Sequence, residues 1–292
     1  MKVLVTGAKG QLGKDLIAEL NKRNIDYVGV DVEEMDITDG DAVLSVIGKE
    51  RPDVVIHTAA WTAVDAAEDY ENRDKVYKIN VIGTENVAKA CKSVDAAMIY
   101  ISTDYVFHGE GTTPYKPEDE NFAPLNYYGE CKLQGELAVK KHLEKFFIVR
   151  TAWVFGLNGT NFIKTMLKLS EMHDSVRVVN DQVGTPTYTV DLARLLVDMS
   201  ESKEYGIYHA TNEGGYISWY DFAKEIFLTA GLKTEVFAVS STDYGFAKAK
   251  RPFNSRLDKT KLVEKGFTPL PDWKDALKRY LKELKNYGTD QR

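Results

Sequence analysis

Lys2–Thr6 (KVLVT) runs directly into Gly7-Ala8-Lys9-Gly10-Gln11-Leu12-Gly13, a β-branched apolar run that breaks into glycines spaced three apart. A helical pattern follows at once. Gly7 permits a tight turn, Gly10 lets backbone approach a pyrophosphate, and Gly13 lets the next helix pack close to the strand. N–H groups at the helix N-terminus suit the phosphates. Glycine spacing alone is a weak signal. Placed after strand one and at the head of a helix, it predicts a dinucleotide site around Gly7, Lys9, Gly10, Gln11, Leu12 and Gly13.

Reading outward, Gln11–Lys22 places Leu12, Leu16, Ile17 and Leu20 at helical spacing. Short apolar runs recur at Tyr27–Val30, Val54–Ile56, Ala97–Ile101 and Phe146–Val149, separated by helical stretches at Asp39–Lys49, Val64–Lys92 and Asn126–Leu143. Continuously apolar strands alternating with helices predict a parallel sheet covered on both faces. The fold class is therefore α/β: a Rossmann-type, doubly wound parallel sheet with a smaller C-terminal substrate-binding lobe. The expected division is residues 1–154 as the dinucleotide-binding domain, completed by about 176–212, with 155–175 and 213–292 as the lobe. Further elements are read as helices at Asn161–Ser170, Val190–Met199, Ser218–Thr229 and Trp273–Lys285, and strands at Val176–Val179 and Gly206–Ala210.

The 292 residues carry a net charge of -6, with 43% hydrophobic and 28% charged residues. That balance supports a packed core and argues against nucleic acid as a partner, since phosphate backbones need a basic surface. No apolar run approaches the ~20 residues of a membrane span, so no membrane partner is expected. Cys91 and Cys131 make neither a disulfide framework nor a metal spacing, and no metal is expected. With no leader pattern before the first strand, the cytoplasm is the expected compartment.

Other positions flank the glycine turn. Asp31 ends strand two, where a carboxylate accepts from the adenosine ribose and leans toward NAD over NADP; a solvated loop aspartate is an equal reading. Asp36 and Ile37 are placed to flank the adenine, or to form a surface turn. After strand three, Thr58, Ala59 and Ala60 are small enough to let the cofactor pass, while His57 reads as a satisfied core histidine.

Strand four ends in Ser102-Thr103-Asp104-Tyr105, and Tyr128-Gly129-Glu130-Cys131-Lys132 opens a helix. Residues four apart share a helical face, so Tyr128 and Lys132 point into one cleft. A nearby cation favours the phenolate, which makes Tyr128 a proton donor to a carbonyl and a base in reverse. Thr103 donates to the same oxygen, and Lys132 holds the nicotinamide ribose. Asn80, mid-helix, organises a proton relay to Lys132 or is a surface asparagine.

These motifs resemble the extended branch of the short-chain dehydrogenase/reductase superfamily and, within it, the dTDP-4-dehydrorhamnose reductase family. The stretches that carry the resemblance are TGAKGQLG (Thr6–Gly13), HTAAWTAVDAAE (His57–Glu68), STDYVFHG (Ser102–Gly109), PLNYYGECK (Pro124–Lys132), RTAWVFG (Arg150–Gly156), DQVGTPTYTVDLA (Asp181–Ala193) and RPFNSRLD (Arg251–Asp258). The resemblance implies NADH or NADPH as cofactor and a dTDP-sugar as substrate. It implies roles for Thr103, Tyr128 and Lys132 in reducing a 4-keto-6-deoxyhexose. It implies sugar contacts from Trp61, Thr62, Val64, Asp104, Tyr105 and Trp153, and nucleotide contacts from Asn161, Phe162, Lys164, Gln182 and Arg251. Cys131 stands where the family usually has serine or threonine. A homodimer is compatible with the family. The competing readings are a nucleotide-sugar epimerase or dehydratase, and a non-catalytic subunit like that of methionine adenosyltransferase. Asp104-Tyr105 in place of a paired Asp-Glu tilts against dehydration.

Overall fold

In the computed structural model, which describes residues 1–245 and 247–289, the alternation of the first half folds as one open sheet. Six strands lie in it: β1 (Lys2–Thr6), β2 (Asp26–Val30), β3 (Val54–His57), β4 (Ala97–Thr103), β5 (Phe146–Thr151) and β6 (Gly206–His209). Their order is β6-β5-β4-β3-β1-β2 and every pairing is parallel. The helices are α1 (Gln11–Lys22), α2 (Gly40–Glu50), α3 (Thr84–Ser93), α4 (Tyr127–His142) and α5 (Thr189–Ser200). One apolar cluster, built with Leu16, Leu192 and Leu196, packs against one face of the sheet. A second, built with Ile47, Val87 and Val139, covers the other face. Strand order reverses between β1 and β3, and a crevice opens at such a switch point.

Local chemistry sets the helix starts. Asp39 accepts from the backbone of Asp41 and Ala42 to cap α2, and Asn126 accepts from Gly129 to cap α4. The glycine-rich α1 begins without any side-chain cap. The stretch before α3 is less regular than its sequence suggests: Val64–Ala67 and Tyr70–Tyr77 are α-helical, while Lys78–Gly83 is a π-helical turn.

One assignment in the second half is corrected and one strand is added. The strand read at Val176–Val179 does not complete the central sheet: Ser175–Val179 pairs parallel with Glu235–Val239 in a sheet of its own. Only Gly206–His209 joins β5 as the sixth strand. The Glu235–Val239 strand escaped the sequence reading because its burial is that of an exposed edge. Around this pair, the helices Phe162–Ser170, Trp219–Ala230 and Trp273–Thr289 build a third core around Phe155, Phe222 and Tyr280. No helix among the described residues is long and apolar enough to cross a membrane.

A buried ion pair joins the elements that hold the candidate residues Thr103, Tyr128 and Lys132. Arg150 on β5 is 0% exposed and holds both carboxylate oxygens of Glu136 on α4, at 2.9 and 2.8 Å. Ser102 on β4 donates to the same carboxylate at 2.5 Å, and Arg150 also donates to the Pro117 carbonyl. The rings of Phe107 and Phe122 lie against the guanidinium, at 4.9 and 5.2 Å. Removing one partner of such a pair strands the other charge in the core. Arg150→Met is expected to cost about 3–5 kcal/mol in urea unfolding, and the double change Arg150→Met with Glu136→Leu should recover most of it. A single-mutant loss below ~1 kcal/mol would show that the pair is not holding these elements together.

Candidate active site

Gly7 turns the chain at φ +65°, so close to β3 that a Cβ there would lie 2.8 Å from the Ala59 nitrogen. Gly13 packs so closely that a Cβ would collide with the Gly7 carbonyl. Above this turn lies a cavity of about 750 Å³, lined by Gly7, Lys9, Gly10, Asp31, Asp36, Ile37, Thr58, Ala59 and Ala60, with Lys78 and Ile79 opposite. Gly10, Thr58 and Ala60 are shared with a second cavity of about 450 Å³. That cavity is lined by Gln11, Leu12, Thr62, Val64, Thr103, Asp104, Tyr105, Tyr128, Lys132, Trp153 and Trp219. Together they form one trough across the switch point, long enough in kind for a dinucleotide with a second ligand at its far end.

The residues present fit a dinucleotide. α1 has no side-chain cap, so its first N–H groups are left for a ligand's phosphates. The buried Oε1 of Gln11 has no hydrogen-bond partner. Gly13 packs as its position in the turn predicts, seating α1 on the Gly7 carbonyl while bordering neither cavity.

The catalytic candidates meet at the carboxyl end of β4. Lys132 is 3% exposed; its ammonium donates to the Ile101 carbonyl at 2.7 Å and lies 4.1 Å from the Tyr100 ring centre. Burial brings its pKa down to about 7, against the pull of Glu136. Tyr128 sits edge-on to Tyr105 at 5.9 Å. Its phenol is not lowered as a neighbouring cation would predict. Burial and then the Asp104 charge push it upward, and only Thr103 opposes them. Tyr128 is thus held as the protonated phenol, the form that donates. Thr103 accepts from the Tyr105 nitrogen at 3.2 Å and donates to Asp104 at 3.0 Å.

Several of the expected site residues stand apart from this trough. The Asn80 carboxamide is tied to one backbone, accepting from Trp61 N at 2.8 Å and donating to Trp61 O at 3.1 Å. It orders the Trp61–Val64 loop from within the π-helical turn. Trp61 itself borders neither cavity, its indole donating to Ala63 O. Asn161 caps the helix that follows and donates to Gly156 O, Phe162 packs 4.5 Å from Trp219, and Lys164 donates to the Leu157 carbonyl. None of the three lines the trough. Gln182 and Arg251 line a separate cavity of about 370 Å³. There Gln182 donates to Ser241, and Arg251 is held bidentate by Asp65 at 2.9 and 2.7 Å. His57 is a core histidine between Thr6 and Thr84, its pKa down at about 3 through burial.

Trp219 was missed. Its ring stacks on Trp153 at 3.7 Å, and Trp153 adopts a left-handed φ of 52°. Such strain in a non-glycine residue beside a cavity points to function. No sequence spacing links 153 to 219; the only available signal was a tryptophan directly after a helix-capping serine.

The family described as RmlD substrate binding domain matches residues 1–286. The chain belongs to this family. It is similar to the spore coat polysaccharide biosynthesis protein SpsK of Bacillus subtilis, with 42% identity over 282 residues, 97% of each chain. Among solved structures it is similar to a dTDP-4-dehydrorhamnose reductase of Clostridium acetobutylicum, with TM-score 0.93, 44% identity, and 98% of this chain and 100% of that one covered. It is also similar to the dTDP-4-dehydrorhamnose reductase of Bacillus anthracis solved with NADP, with TM-score 0.91, 43% identity, and 97% and 99% of the chains covered.

A Cβ at Gly10 would already sit 3.1 Å from the Gly7 carbonyl. Gly10→Val is therefore expected to weaken dinucleotide binding at least about tenfold, ~1.4 kcal/mol. Fluorescence titration with NADH and NADPH checks this, and equal affinity would make the glycine turn purely structural.

Proposed function

We propose that this protein reduces the C4 keto group of dTDP-4-dehydro-L-rhamnose to give dTDP-L-rhamnose. It is an NAD(P)H-dependent oxidoreductase of the short-chain dehydrogenase/reductase type. The observation that carries the reading is the convergence of Thr103, Tyr128 and Lys132 on one cavity that opens into the glycine-floored trough. The relatives named as dTDP-4-dehydrorhamnose reductases supply the substrate.

In this reading the bound dinucleotide supplies the hydride. The chain's own residues do the rest. Tyr128, kept protonated by burial, delivers its proton to the carbonyl oxygen. Thr103 hydrogen-bonds that oxygen and stabilises its developing charge. Lys132, buried and close to neutrality in pKa, re-protonates the phenolate and binds the nicotinamide ribose. The stacked Trp153–Trp219 pair supplies an apolar wall for the sugar. The separate cavity with Gln182 and Arg251 is the candidate seat for the nucleoside diphosphate, once Arg251 exchanges Asp65 for a phosphate.

The adenosine end supports NADH over NADPH. Asp31 is fixed there by Lys9 N and Val32 N, both at 2.9 Å. The Lys9 ammonium is already paired with Glu33 and Glu34 at 2.8 and 3.1 Å. Three carboxylates against one lysine disfavour an additional phosphate.

Dinucleotide oxidation is followed by nicotinamide absorbance, with the keto sugar made in situ. The expected outcome is sugar-dependent oxidation, faster with NADH. Tyr128→Phe should cut kcat by about 10²–10⁴-fold while dinucleotide affinity stays close to wild type. Unchanged turnover would remove Tyr128 from the mechanism, and no oxidation by the wild type would remove the substrate.

A further inference from the structure

Asp104 lines the proposed catalytic cavity at 2% exposure, yet among the described residues no cation pairs with its carboxyl. Its Oδ1 receives the Thr103 hydroxyl at 3.0 Å, while its buried Oδ2 meets no donor in hydrogen-bonding geometry, the nearby Ser255 hydroxyl acting on the carboxyl only at longer range. A carboxylate so placed is costly, and burial raises its pKa to about 6, against the Ser255 and Thr103 hydroxyls that favour the charged form. The other titratable groups facing it are Tyr105 beside it in the chain and Tyr128 from α4, both pushed upward by burial. Lys132 lies one turn further along α4, and the Arg251–Asp65 pair sits beyond Tyr105.

A threonine hydroxyl has one proton to give. With Asp104 ionised, that proton goes to Oδ1, and the Tyr105 nitrogen occupies a lone pair, so Thr103 has nothing left to donate to a substrate oxygen. With Asp104 neutral, the carboxyl becomes the donor to Thr103 Oγ1, and the threonine proton turns into the cavity. We propose that Asp104 is a positioning residue whose neutral acid directs the Thr103 hydroxyl toward the substrate carbonyl. This rests on the reading of Thr103 given above. The sign follows: the competent form is the protonated acid, so its contribution is full below the Asp104 pKa and is lost as pH rises through it.

Two measurements on the full-length protein test this. The first needs no substrate: the carboxyl of Asp104 is titrated by infrared difference spectroscopy, wild type against Asp104→Asn. We expect a carboxyl titrating above the ordinary carboxylate range, and a further upward shift in Thr103→Val, which removes a donor to the charged form. A titration that Thr103→Val leaves in place overturns the coupling whatever the substrate is. The second is the pH profile of kcat with the keto sugar. Wild type should fall about tenfold or more as pH rises through the Asp104 pKa. Asp104→Asn cannot ionise, so its kcat, whatever its level, should lose that limb and keep only any limb due to Lys132. Retention of the Asp104 limb overturns the proposal. So does a change confined to KM, which would mean the carboxyl merely holds a sugar hydroxyl. Absence of turnover in the wild type counts against the substrate reading, and the infrared titration still decides the role of Asp104.

Discussion

Two opposite charges sealed away from water fix the sheet edge on which the candidate site is built. The Arg150 guanidinium on β5 and the Glu136 carboxylate on α4 cannot part without leaving a bare charge in the core. Their hydrogen bonds reach Ser102, one residue before Thr103, and the Pro117 carbonyl of the long loop after β4. Glu136 is also one turn beyond Lys132 and two beyond Tyr128 on the same helix. The pair thus locks the register between the strand that offers Thr103 and the helix that offers the phenol and the ammonium. Bidentate geometry suits this task, because it fixes rotation as well as distance.

Much of this architecture can be read from local pattern. The strand–glycine–helix opening, the short apolar strands and the asparagine and aspartate caps act over a few residues, and they fold as their spacing predicts. Gly7 and Gly13 are legible for the same reason, since the turn they permit is closed by the chain immediately around them. What was misread depends on partners far along the chain. Ser175–Val179 looked like any other apolar strand, and only pairing with residues sixty positions later sends it to the lobe. The bonds of Asn80 to the Trp61 backbone likewise join positions that no helical spacing links.

The ion pair itself had a visible signature. Arg150 is embedded in FFIVRTAWVFG, and an arginine inside an apolar strand must find a buried acid. Glu136 lay on the helical face already assigned to Tyr128 and Lys132. Electrostatics were harder to foresee. Helical spacing suggested that Lys132 would lower the phenol pKa, whereas the dominant influence is desolvation, which raises Tyr128 and lowers Lys132 together. Spacing reveals which groups are neighbours; how much water each has lost depends on the packed interior.

The indoles of Trp153 and Trp219, 3.7 Å apart and within 14° of parallel, form the wall of the catalytic cavity. Rings that close share their excited state rather than absorbing and emitting separately. One ring belongs to the segment after β5 and the other to the helix Trp219–Ala230 of the lobe. Any shift between those two parts of the molecule must therefore part or slide the stacked rings.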